Sequence, residues 1–517
     1  MEKIKLDTFL DFKFLGNLQT SPSKNAVAFV AAEPHYDNNE YHHALYAGDE
    51  KRIKKRFNMK KNNYFVFLND ETLLLNYQRT KSEEKALKES SRQSYYTYNL
   101  EDNSLEKAFD LPFPGKVEAV LEAERLLISA QMTEDDHLLY EASEDERKAY
   151  LKEKKRNRPF EDIDELPYYF NGRGFKTNQK TQLFIFDQKD HSIKRLFDKS
   201  FSVENHTLSQ DKKTIYYTGK VSEKVMSMTS KIYAYNIDLD TNKILYNETD
   251  YNIDKLIDFN GNLLVIAKDM QSFGINQNPD FFLLKDNSLN LFATYGQSIG
   301  NTVGTDCRLI GSELMFVEED GFYFTSTIDD HSELKRLTLD GDISTVYSMP
   351  GAIDGVKVVN GEIILIGLKN QSLQEVYRLD REANTTKKLT QINANGLKNR
   401  YVAKPQEVIV KKDNHEVKGF VLLPKDFDEN KQYPAILNIH GGPKTVYGQI
   451  YYHEMQYWAN EGYVVFFANP RGSDGKGNTF ADIRGKYGTI DYDDLMDFTD
   501  KVLDSYPQID ESALYVT

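Results

Sequence analysis

Between about Leu18 and Leu389 the chain repeats a physical pattern rather than a string of letters, and that repeat narrows the fold more than any other feature. Each unit has a polar turn, an apolar strand, and a second strand ending near an acidic or Asn turn. The strong strands fall at residues 27–30, 72–77, 126–130, 215–218, 263–267, 314–317 and 363–366. Their partners fall at 44–47, 95–100, 183–187, 232–237, 281–285, 334–340 and 376–380. A period of roughly 40–50 residues is that of four-stranded propeller blades, so the pattern predicts a seven-bladed β-propeller. A β-sandwich uses only about seven to nine strands, roughly half of what this region supplies. The 33 Tyr and 30 Phe suit cross-strand aromatic packing.

The third unit carries an insertion at about 133–180. Within 143–156, Glu144, Asp145 and Glu146 precede Arg147, Lys148, Lys152 and Lys154, with Ser143 placed to cap. Acid first and base last matches the helix macrodipole and predicts a solvated helix on the rim. A sharper reading concerns Asp164-Glu165-Leu166-Pro167-Tyr168-Tyr169-Phe170: this segment lies over a central opening and touches a substrate or a partner subunit.

Near 395–401 the period changes. A hairpin at 406–412 and 418–423 turns around Asp413-Asn414, with Gly419 in its second strand. A continuous apolar strand at 434–439 is of the parallel, doubly covered type. A helix at about 449–460 is ended by Gly462, and a buried strand follows at 463–468. A helix at 491–503 has Asp491 as N-cap and one apolar face, and 514–517 is a third parallel strand. Alternating strands and helices mean an α/β domain. The predicted organisation is a propeller over 1–395 and an α/β-hydrolase domain, incomplete, over 396–517.

The strand at 434–439 opens into His440-Gly441-Gly442-Pro443, a run of bare backbone N–H groups of the kind that forms half an oxyanion hole in an α/β-hydrolase. Asn469-Pro470-Arg471-Gly472-Ser473 and Gly475-Lys476-Gly477 leave the next strand on the same edge of the sheet, where ligands bind in open α/β folds. Gly475-Lys476 lacks the earlier Gly and the following Ser or Thr of a P-loop, so no nucleotide is implied.

With Tyr433-Pro434, Glu461-Gly462-Tyr463-Val464-Val465, Ile483-Arg484-Gly485 and Asp491-Tyr492-Asp493-Asp494-Leu495, these motifs resemble the prolyl oligopeptidase family of serine peptidases, especially its acylaminoacyl-peptidase-like branch. The resemblance implies a propeller ahead of an α/β-hydrolase domain. It also implies a nucleophile in a Gly-x-Ser-x-Gly-Gly turn after the strand matching 514–517, with the acid and histidine further on. The triad is therefore expected after Thr517, with no catalytic residue inside the chain, and the 517-residue fragment is expected to be inactive and its hydrolase half unstable alone. Gly442 matches one oxyanion donor, flanked by Gly441 and His440. His440, at the end of a buried strand, fits a role in fixing the loop better than general-base catalysis.

Two serines are decoys. Gly296-Gln297-Ser298-Ile299-Gly300 spells G-x-S-x-G, but no apolar helical face follows to support a nucleophile elbow. Ser473 belongs to the loop pattern. His42, His43, His415 and His453 lack metal spacing, and no metal or cofactor is expected.

The expected activity is that of a serine-type peptidase on short or acylated peptides. An esterase on the same fold, or a propeller binding protein with a degenerate hydrolase domain, is the alternative. A net charge of −15, from 65 basic and 80 acidic residues, argues against a nucleic-acid partner. No apolar run approaches the roughly 18 residues of a membrane span, and the N-terminus has no signal-peptide core. The single cysteine, Cys307, fits a reducing cytoplasm. Homo-oligomerisation is left open.

Overall fold

Strand pairing follows the predicted period: a computed structural model describes residues 1–517 except Asp164, Gly172, Arg173, Lys176, Thr177, Ser222, Asp413 and Pro443. The expected turn at Asp413, the Asp164 end of the aromatic segment and Pro443 of the glycine motif lie outside the described residues. Seven four-stranded antiparallel sheets span 14–60, 65–111, 116–195, 201–246, 252–293, 315–349 and 351–388, each with its strands in chain order. They are the blades of a seven-bladed β-propeller, and an α/β-hydrolase-type sheet follows. In six blades the strong strand and its partner are the second and third strands. Blade six departs from this: residues 315–317 lie in its first strand, Met315–Glu318, and the second is Gly321–Ile328. The polar half of that strand, Thr325-Ser326-Thr327, hides it from a hydrophobicity reading, yet all three are fully buried. Ser326 Oγ donates to Ser298 O at 2.6 Å and Thr327 Oγ1 to Gly300 O at 3.3 Å, which satisfies these two hydroxyls, while Thr325 Oγ1 has no partner among the described residues.

The chain divides into two compact units. One comprises 64–269 and 280–294, blades two to five. One core joins Val66, Leu74 and Tyr95 of blade two to Ile128, Phe184 and Phe186 of blade three. Helix α1 (Lys81–Ser90) was not expected, although Thr80 and Glu83 form a capping box that marks it in the sequence. Blade three pairs Met132 with Lys180 across the insertion. Helix α2 (Glu144–Asn157) starts at the predicted cap, Ser143, in a capping box with Glu146. Arg147 is buried and donates to the carbonyls of Leu139 and Pro112, at 3.0 and 2.9 Å. Lys180 and Glu165, both buried, pair at 2.9 Å and anchor the insertion, and Leu166 exchanges backbone bonds with Lys224 and Met226.

The other unit comprises 1–63, 270–279 and 295–517, with blades one, six and seven and the α/β sheet. That sheet contains β1 (Gln406–Lys411), β2 (Glu416–Leu422), β3 (Tyr433–Leu437), β4 (Val464–Asn469) and β5 (Ile509–Val516), ordered β1-β2-β4-β3-β5. β3 runs parallel to both β4 and β5. Helix α3 (His453–Asn460) covers one face with Met455 and Ala459 against Phe420 and Val465. It begins later than expected, because 449–452 is held as irregular chain. The short α4 (Gly477–Ala481) sits in the glycine-rich loop. Helix α5 (Ile490–Ser505) covers the opposite face with Leu495, Phe498 and Val502. Burying a side chain such as Phe498 stabilises by about 2–3 kcal/mol. Its N-cap is Thr489, not Asp491, which lies in the first turn. No helix among the described residues is long and apolar enough to cross a membrane.

Candidate active site

Pairing on both sides of β3 persists just past its last residue. Asn438 N donates to Phe466 O at 2.9 Å and Ile439 N to Thr517 O at 2.8 Å. The chain is then released as His440-Gly441-Gly442, with both glycines exposed. A Cβ on Gly442 would stand 3.2 Å from Lys444 N, so the returning loop leaves little space there for a side chain. Lys444 takes φ +64° and donates its N–H to Gly472 O at 2.9 Å. That bond ties the two glycine loops together.

Buried amide side chains fasten this loop to the sheet. Tyr447 Oη donates to Asn438 Oδ1 at 2.6 Å, while Asn469 accepts from Tyr447 N and donates to Tyr447 O, both at 2.8 Å. The His440 ring meets Tyr447 edge-on at 5.0 Å, and its Nε2 lies 3.2 Å from Ser473 Oγ. Burial pushes the His440 pKa down, against hydrogen bonds from Gly441 and Asn469, so the imidazole is neutral near pH 7. Ser473 is itself buried. Its hydroxyl faces the histidine from inside the loop.

Beneath the loop, Arg471 forks onto the fully buried Asp494, with Nε to Oδ2 at 2.9 Å and Nη2 to Oδ1 at 2.8 Å. Arg471 N also donates to Oδ2 at 3.0 Å, and His415 Nε2 lies 3.0 Å from Oδ1. Burial would raise the Asp494 pKa, but Arg471 and His415 hold it below the usual carboxylate range. The sequence reading missed this arrangement. The acidic run before Leu495 was visible, but not which acid faces inward.

Residues 449–517 match the model of the prolyl oligopeptidase family. Among curated relatives, an uncharacterized peptidase, YuxL, of Bacillus subtilis is 32% identical over 204 residues, which is 39% of this chain and 31% of that protein. Dipeptidyl-peptidase 5 of Aspergillus fumigatus is 27% identical over 194 residues, 37% of this chain and 26% of its own length. The matched stretch thus spans under a third of either relative. In fold, Pyrococcus horikoshii acylaminoacyl peptidase superposes on 100% of this chain and 75% of its own with a TM-score of 0.77 at 18% identity. A solved acylaminoacyl peptidase in complex with Z-Gly-Gly-Phe-chloromethyl ketone gives 0.76 at 18% identity, with the same coverage of both chains.

The glycine loops also meet blade six. Gly475, at φ +81°, lies so close that a Cβ would stand 2.3 Å from Asp329 O. Lys418 Nζ reaches Asp329, Asp330 and Glu407 at 2.7, 3.3 and 3.2 Å. Burial would raise the Asp330 pKa, yet His331, Lys418 and Gln449 hold it at about 2. Ser298 lies buried in irregular chain, not on a strand-to-helix turn. His453 bonds Tyr451 Oη and Leu6 O, and His42 bonds Glu40. Among the described residues no group of three or more His, Cys, Asp and Glu could hold a metal ion.

Proposed function

We propose that this chain is part of a serine-type peptidase acting on short or acylated peptides, in which the Gly442 N–H donates to the oxyanion of the tetrahedral intermediate. One observation carries the reading. Exposed Gly441 and Gly442 leave the carboxyl end of β3 on a loop that Asn438, Tyr447, Asn469 and Lys444 hold rigid. A preorganised donor stabilises developing negative charge without reorganising at the moment of reaction. Neutral His440 and buried Ser473 support that loop rather than attack the substrate. The match of residues 449–517 to the prolyl oligopeptidase family supports acyl transfer to serine, and the relatives named as dipeptidyl and acylaminoacyl peptidases favour a peptide amide over a simple ester.

The test begins with the coding sequence downstream of Thr517 and uses the product of the whole reading frame. A Gly-x-Ser-x-Gly-Gly turn and hydrolysis of N-acyl-amino-acid anilides faster than matched simple esters are expected. A frame without that turn, giving a protein without amidase activity, would overturn the reading. In the active product, Gly442→Ala should lower kcat by up to about 10²-fold with little change in KM, the size of losing one oxyanion donor.

A further inference from the structure

We propose that an open cleft between blades two and three is a second binding site, taking a short peptide whose two ends carry no charge. The cleft has a volume of about 570 Å³, within the range of roughly 300–1,000 Å³ common for small-molecule sites. Its walls come from the two blades and the insertion, which share one apolar core including Leu139. The walls are therefore held in place by packing.

Among the described residues, each cation lining the cleft is matched by a carboxylate. Lys116 Nζ lies 2.8 Å from Glu118 Oε2, and Lys154 pairs with the buried Asp136, which also accepts from Tyr150 Oη at 2.8 Å. A carboxylate ligand would need an unmatched cation, and a free ammonium would be desolvated without a counter-charge. What the walls carry instead is amide and hydroxyl groups beside short apolar surface: Asn76, Gln93, Gln131 and Ser129 with Met132 and Leu139. Asn76 Oδ1 accepts from Gln78, Gln131 Nε2 donates to Thr181 Oγ1 and Ser129 Oγ donates to Glu118, leaving Asn76 Nδ2, Gln131 Oε1 and the Ser129 lone pairs to face a ligand. The Gln93 side chain is buried and its Oε1 accepts from Gly115 N at 2.7 Å, so one amide edge is fixed in orientation. Amide edges beside apolar side-chain surface complement a peptide backbone bearing small side chains. Binding here uses no catalytic group, so the peptidase reading can fail while this site stands, and the reverse.

The experiment is calorimetric titration of the 517-residue protein with N-acetyl-trialanine amide and with unblocked trialanine. The blocked peptide should bind saturably and at least about tenfold more tightly than the unblocked one, a difference of about 1.4 kcal/mol. Gln131→Trp, at an exposed wall position, should fill the cleft and weaken binding by at least about tenfold, as should Gln179→Trp if the first variant misfolds. Leu339→Trp, exposed in blade six, should bind as the parent does. The proposal is overturned if the blocked peptide shows no saturation, if the unblocked peptide binds as well, or if a folded cleft-filling variant binds unchanged.

Discussion

Asp494 shows how much one buried carboxylate can hold. It receives Arg471 twice through the side chain and once through the backbone, and it faces His415 on the other side. Removing the charge strands Arg471 over a buried amide. Asp494→Asn should therefore cost about 3 kcal/mol, read as a lower urea midpoint at unchanged slope. Because its folded pKa lies below the unfolded value, Asp494 contributes fully above about pH 4, and the contribution is lost as pH falls through the folded pKa. His331 has the opposite sign. Hydrogen bonding to Asp330 raises its pKa, so its contribution is complete below about pH 6.5 and is lost as pH rises through the folded pKa. His331→Gln should flatten the stability–pH curve above that value by no more than about 1 kcal/mol, which thermal melts across pH would register. Neither role was legible in the sequence. His415 reads there as a hairpin residue, and Asp494 is one of three aspartates within four positions.

The α/β elements were legible in kind and less so at their ends. α3 begins at His453 because a distant acid caps it: Asp306 accepts from His453 N at 2.7 Å and from Glu454 N at 2.9 Å, while Tyr452, the local cap, offers no side-chain bond. Asp306→Ala should cost about 1 kcal/mol and speed amide exchange across 453–460. Gly419 in β2 was visible as a glycine inside a strand, and its reason is tertiary. A Cβ there would stand 2.4 Å from both Phe467 O and Phe498 Cζ. Gly419→Ala should overpack α5 against the sheet and destabilise by about 2–3 kcal/mol in denaturant titration. Blade six failed at the same scale, because buried hydroxyls look polar in a sequence while bonded hydroxyls pack like core.

Across the whole molecule, the periodic pattern carried the architecture. Apolar strands must be covered, and repeated strand pairs followed by alternating strands and helices leave few solutions besides a propeller and an α/β sheet. Docking of blade six onto the sheet depends on Lys418 of β2 and the carboxylates of Asp329 and Asp330. Burial lowers its pKa, but Asp329 and Asp330 more than reverse that, and the ammonium is held above its ordinary range. Lys418→Met should leave the buried Asp330 without its lysine, cost about 3 kcal/mol, and split a calorimetric melt so that the α/β sheet unfolds earlier.

By itself the sequence determined the propeller period, the change to an α/β pattern near 395–401, and the glycine motif at 440–442, because strand alternation, helix faces and bare glycine are local properties. Only the tertiary structure decided that Ser473 faces His440, that Asp306 caps α3, and which acid Arg471 grips. Those pairings join residues from 23 to 147 positions apart. Many equivalent serines and carboxylates compete for each in the unfolded chain, and the fold brings one of them within hydrogen-bond reach.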